Sequence, residues 1–166
     1  MAVQGDKAYQ IELLQENLQT IRKIAGWTIE ELGDKIGVTK QTISNLENMK
    51  TKMSLTQYIA IRTILDYESQ EHPENDILPK AINLLLDEGR NLSKEEYSKI
   101  KSSIDTVAAA ASGGAESSVL SSLFSTVVGT AVIGVGLSLF PPISVLGGAA
   151  ASLWIRKLYN NKDTDK

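Results

Sequence analysis

Between Thr28 and Glu47 the chain reads TIEELGDKIGVTKQTISNLE, two short apolar stripes at helical spacing divided by a glycine. Leu32 and Ile36 form the first stripe, and Ile43 and Leu46 form the second. Thr28 is suited to cap the first helix, with Glu31 three residues on to complete a capping box. Gly37 ends that helix, because the sharp turn asks for a backbone conformation that glycine adopts cheaply. Thr39 then caps the second helix. Gly33 falls where the two helices cross, and lacking a side chain it lets their backbones approach. Caps, turn glycine and four apolar anchors in this register describe a helix-turn-helix.

These residues resemble the DNA-binding domain of the lambdoid phage repressors and Cro proteins, the XRE-type helix-turn-helix family. The likeness is closest over Gly37 to Lys52, GVTKQTISNLENMKTK. It extends more loosely from about Gln10 to about Glu88, roughly half the chain. The family usually has glycine after the LEN, where this chain has Met49. Asn48 or Met49 must then make the helix exit, and asparagine tolerates a left-handed backbone better than most residues.

The resemblance implies that Lys40, Gln41, Ser44 and Asn45 read base edges from the second helix. It also implies that Thr28, Thr39, Lys50, Thr51 and Lys52 lie on phosphates. The chemistry suits those roles. Gln and Asn hydrogen-bond adenine N6 and N7 together, and Lys donates to guanine O6 and N7. Phosphate contacts fix register without reading sequence. Ile29 stands where the family often has a polar residue, so no side-chain phosphate contact is expected there. The implied partner is double-stranded DNA with a two-fold operator, bound by a homodimer whose contact comes from the domain's last helices. The run Leu84-Leu85-Leu86 is apolar enough to serve both core and interface. Against this stands a plainer reading, a small helical domain used only for protein contacts.

Charge does not favour DNA. The 166 residues carry a formal net charge of −3. Residues 1–75 hold eight Lys and Arg against eleven Asp and Glu, again −3. Binding must rest on a local basic patch (Lys40, Lys50, Lys52), weak for a monomer and repaired by dimerisation. Cysteine is absent, so there is neither a disulfide framework nor a thiolate metal site. Met1–Gln10 is polar, which argues against a signal peptide and for a cytoplasmic start.

No catalytic constellation is apparent. The one histidine, His72, sits beside Pro73 in a polar stretch and reads as a solvated loop residue. Gly113-Gly114 and Gly147-Gly148 lack the lysine and spacing of a phosphate loop. Ser98 and Lys101 have Ser-Lys dyad spacing, but they belong to the polar side of a helix in a chain without predicted strands. The chain is expected to be no enzyme, with no cofactor and no metal.

The expected architecture is all-α: a five-helix repressor-like DNA-binding domain over residues 1–90, a linking helix and glycine hinge over 91–114, and a C-terminal apolar helical hairpin over 115–166. Ile11, Leu14, Leu18, Ile21 and Ala25 mark a first helix, and Trp27 a core anchor. Ser54 and Gln57 form a capping box that opens a helix through Leu65. Tyr67 to Asn75 is polar and reads as a loop. A fifth helix begins near Pro79 and runs to Gly89. Ser93 and Glu96 open a sixth, whose apolar residues Tyr97, Ile100, Ile104, Val107 and Ala111 form either a short coiled-coil seam or a face lying on the core. Ser112-Gly113-Gly114 reads as a hinge.

From Ser117 to Ile155 there are 39 residues without a charged side chain. Pro141-Pro142 divides them into two limbs, Val119–Phe140 and Ile143–Ile155, the second extendable to Tyr159. A membrane span needs ~20 apolar residues, and Trp154, Arg156, Lys157 and Tyr159 suit an interfacial exit. Small residues recur at Ser122, Thr126, Thr130, Gly134 and Ser138, and at Ser144, Gly148 and Ser152, as in closely packed membrane helices. The expectation is a transcriptional regulator, in the manner of a repressor, tethered to the cytoplasmic membrane through residues 117–159. Two alternatives stay open. One is a soluble repressor whose apolar tail forms an oligomer core. The other is a membrane-active effector regulated by its N-terminal module.

Overall fold

A computed structural model describes residues 2–134, and among them there are helices and no strands, as an all-α chain requires. The helices are α1 (Ala2–Ile24), α2 (Ile29–Ile36), α3 (Lys40–Glu47), α4 (Leu55–Glu71), α5 (Ile77–Ile82), α6 (Lys94–Ser112) and α7 (Ser117–Gly134). Between α5 and α6 the chain widens into a π-turn over Asn83–Asp87 and then tightens into a 3-10 turn over Gly89–Asn91.

The first helix is the spine of the fold. Its stripe of Leu14, Leu18 and Ile21 is fully enclosed, and Leu32, Ile43, Leu46, Ile61 and Leu65 from α2, α3 and α4 close around it. Trp27 is buried at the α1–α2 corner, with the Lys35 ammonium 4.7 Å from the ring centroid. The fourth helix starts at the Ser54–Gln57 capping box. It runs on to Glu71, so most of the stretch read as a loop from Tyr67 is helical. Polarity there marks a solvated last turn. The helix stops where Pro73 pushes His72 out of helical conformation.

The three leucines at 84–86 all point into protein, at 3%, 0% and 7% exposure. Successive side chains on one helix fan around its axis, so burying three in a row needs neighbours on several sides. α1 and α6 both pack on this turn and supply them. None of the three is left over for the dimer contact expected of them.

The sixth helix begins at the Ser93–Glu96 capping box and lies along α1, with Ile100, Ile104, Val107 and Ala108 buried. Its seam therefore packs on the core of its own chain. Tyr97 closes the other end of this contact. Its hydroxyl accepts from Asn17 Nδ2 at 2.6 Å, and a side chain at Gly89 would come within 2.9 Å of its ring.

The chain turns at Gly113-Gly114 and α7 folds back onto α6. Phe124, Val128 and Val132, four residues apart, form its buried face. Ser122, Thr126 and Thr130 lie on the exposed face, with their hydroxyls bonded to carbonyls of the preceding turn. No helix among the described residues is long and apolar enough to cross a membrane. The membrane hairpin over 117–159 thus finds no support here, and Phe124, Val128 and Val132 of its first limb are buried within the protein instead. The second limb, the Pro141-Pro142 turn and the Trp154–Tyr159 cluster lie outside the described residues.

Candidate nucleic-acid interface

The α2–turn–α3 unit is held by local bonds at each joint. Thr28 Oγ1 accepts from the Glu31 N–H at 3.1 Å, and the Glu31 carboxylate accepts from the Thr28 N–H at 2.6 Å. The backbone bond from Thr28, then its hydroxyl, holds the Glu31 carboxyl below the usual carboxylate range. Gly37 takes φ +72, and the Val38 N–H bonds back to the Gly33 carbonyl at 2.9 Å. A methyl group on Gly33 would lie 2.7 Å from that Val38 carbonyl oxygen, so glycine is needed for the close approach. Thr39 Oγ1 accepts from the Thr42 N–H at 3.2 Å and starts α3.

Ile43 and Leu46 turn one side of α3 into the core, and this decides what the other side presents. Lys40 and Gln41 are exposed, and Ser44 and Asn45 are half-buried. Gln41 Nε2 donates to Asn45 Oδ1 at 2.9 Å. The linked pair still has the Gln41 carbonyl oxygen and the Asn45 amino group, an acceptor and donors one helical turn apart. Lys40 lies 3.8 Å from Glu30, an exposed pair that salt would screen. Thr28, Thr39, Lys50, Thr51 and Lys52 are all exposed.

The exit from α3 differs from what residue preference suggested. Asn48 keeps φ −92 and turns its amide back onto the Ser44 carbonyl at 2.7 Å. Met49 takes the left-handed conformation instead, at φ +55. Because Asn48's side chain serves the last turn of the helix, reversal falls to the next residue.

Two residues that matter here were not legible as such. Gln15 on α1 is buried and uses its whole amide, donating to the Leu46 carbonyl at 3.0 Å and the Thr51 carbonyl at 2.6 Å while accepting from the Met53 N–H at 2.8 Å. It clamps the Lys50–Lys52 loop to the end of α3. Arg22, two turns further along α1, forms a buried ion pair with Glu47. That pairing neutralises the one acidic side chain of α3. The available signal was Gln15 and Arg22 at seven-residue spacing, which puts both on one side of α1 beside the apolar stripe.

Other candidates lie outside the α2–turn–α3 unit. His72 is exposed and bonds through Nδ1 to Glu74 at 2.9 Å, and that bond raises its pKa above the ordinary imidazole value. Ser98 is exposed, and Lys101 pairs with Asp105 at 3.4 Å. Among the described residues no cluster of His, Asp and Glu is arranged to hold a metal ion.

Residues 18–72 match the family model described as helix-turn-helix. A segment of 60 residues is 38% identical to Antitoxin HipB of Escherichia coli O6:H1, covering 36% of this chain and 64% of that protein. It is 37% identical to Antitoxin HipB of Escherichia coli strain K12, with 36% of this chain and 68% of that protein covered. The chain thus spans about two thirds of the length of these relatives. No solved structure matches the chain significantly. With its capped α2, glycine turn and α3 in the matched segment, the N-terminal part of this chain belongs to the XRE-type helix-turn-helix family.

Proposed function

We infer that the chain is a sequence-specific DNA-binding transcriptional regulator that acts by binding and not by catalysis. In this reading α3 enters the major groove and the Lys50–Lys52 loop lies on the flanking backbone. One observation carries it: the bonded Gln41–Asn45 pair sits on α3 opposite its buried Ile43 and Leu46, and Lys40, Lys50 and Lys52 are exposed on the same helix and the loop that follows it. Gln and Asn present the donor–acceptor pattern that adenine answers in the major groove. Thr28 and Thr39, at the starts of α2 and α3, are given phosphate contacts, since helix N-termini attract anions. Because residues 1–75 carry −3 overall, a single copy has little long-range attraction for DNA. Two copies on a two-fold site, with half-sites ~34–36 Å apart, overcome this.

The test is a randomised-site selection with the full-length protein. It is expected to recover a palindromic motif, and the Gln41→Ala, Asn45→Ala double variant is expected to lose preference at one or two positions of each half-site. Each lost bidentate contact corresponds to ~1–3 kcal/mol of discrimination. Recovery of no motif by the wild type overturns the reading. An unchanged motif with the double variant assigns base reading to other residues.

The relatives' name favours a second role beside the first, as an antitoxin that holds a toxic protein inactive. Depleting the protein in its host is then expected to arrest growth, with rescue by the full chain. Unimpaired growth removes this role and leaves the DNA reading intact.

A further inference from the structure

Four helices of this chain end in the same way. In each, a left-handed residue at or just past the cap donates to the carbonyl three back, and the next residue donates five back. The pairs are Gly26 to Lys23 with Trp27 to Arg22, Gly37 to Asp34 with Val38 to Gly33, and Gly114 to Ala111 with Ala115 to Ala110. At the end of α3 they are Met49 to Leu46 at 3.1 Å and Lys50 to Asn45 at 2.9 Å. Three of the four left-handed positions are glycine, at φ +76, +72 and +81. The fourth is Met49, whose Cβ crowds its own backbone at φ +55. The strained residue is thus the one on the candidate interface, at the start of the basic loop. Its side chain gains little from the fold in return, being 53% exposed. A large apolar side chain kept in a strained and exposed position calls for something to contact outside the folded chain.

We propose that Met49 is an apolar DNA contact, its thioether chain lying on thymine methyl or deoxyribose at the edge of the groove that α3 enters. This rests on the DNA-binding reading above. Base edges and sugars both offer apolar surface there, and an unbranched, polarisable side chain adapts to either. The neighbours supply the rest of the geometry. Lys50 and Lys52 attract the backbone, Gln15 holds the loop through Thr51, and Met49 fills the space between loop and groove.

The test uses the full-length protein and the site recovered by selection, comparing wild type with Met49→Gly, Met49→Asn and Met49→Leu in thermal unfolding and in DNA titrations at several salt concentrations. Met49→Gly and Met49→Asn are expected to unfold at higher temperature, since both accept the left-handed backbone. They are expected to bind about tenfold more weakly, the loss that hiding ~50 Å² of apolar surface implies. Their salt slope should match the wild type, because no phosphate contact is removed. Met49→Leu should keep both the strain and the affinity. Replacing thymines by uracil at the site's flanks identifies the surface. A matching loss for wild type alone indicates the methyl group, and no loss indicates the sugar. A Met49→Gly protein that binds as tightly as wild type overturns the proposal while leaving the DNA reading standing, and so does one that is less stable. Failure of the wild type to select any site removes the DNA reading itself.

Discussion

Arg22 and Glu47 meet as a two-pronged ion pair, with Nε 2.5 Å from Oε1 and Nη2 3.1 Å from Oε2. The side chains are 8% and 2% exposed. Arg22 also donates through Nη1 to the Trp27 carbonyl at 2.7 Å. One guanidinium therefore ties together α1, the corner leading to α2, and the last turn of α3. Arg22→Ala strands the Glu47 carboxylate inside the protein and is expected to cost ~3–5 kcal/mol, whereas replacing both partners by apolar residues of similar volume should restore most of it. Urea unfolding of the single and double variants measures this. A loss below ~1 kcal/mol for Arg22→Ala would mean that the pair is effectively solvated.

Gly33→Ala is expected to destabilise the protein by ~1–3 kcal/mol, as overpacking does. The added methyl would lie 2.7 Å from the Val38 carbonyl oxygen, which is backbone and cannot swing aside. The α2–α3 turn must open to admit it. Hydrogen exchange at Val38, whose N–H bonds to the Gly33 carbonyl, should quicken in the variant. Exchange as slow as wild type would show that the turn tolerates the methyl.

Lys50→Ala and Lys52→Ala are each expected to weaken all DNA sequences alike and to lower the slope of log affinity against log salt by ~1. The motivation is that both side chains are exposed beside α3 and held in register by the Gln15 clamp. A slope that does not move takes the loop off the phosphates.

His72 offers a titration that needs no assignment, because it is the only histidine in the chain. Its hydrogen bond to Glu74 is the largest influence and, with the Glu68 and Glu74 charges, holds its pKa above the ordinary value. The stabilisation is fully present below the unfolded-state pKa and is lost as pH rises through the higher folded-state pKa. NMR should find the imidazole midpoint above that of the unfolded chain, and Glu74→Gln should lower it. A midpoint that ignores Glu74→Gln removes the bond as the cause.

What the sequence determined by itself is the helix capping and the glycine turn, both settled within a few residues of chain. Thr28, Thr39, Ser54 and Ser93 cap the helices expected of them, since a cap needs only the N–H three positions on. The α2–α3 turn was legible for the same reason, with a left-handed glycine joining two apolar stripes. The tertiary structure decided what depends on distant partners. Gln15 reaches Leu46 across 31 residues and Arg22 reaches Glu47 across 25, and nothing near either side chain names its partner. Burial of Leu84, Leu85 and Leu86 together required α1 and α6 around one turn. The apolar run after Ser117 looked like a membrane limb while its length stood alone. Folded against α6, Phe124, Val128 and Val132 bury one face of that run within the protein, because apolar surface is removed from water by whichever apolar neighbour the fold brings to it.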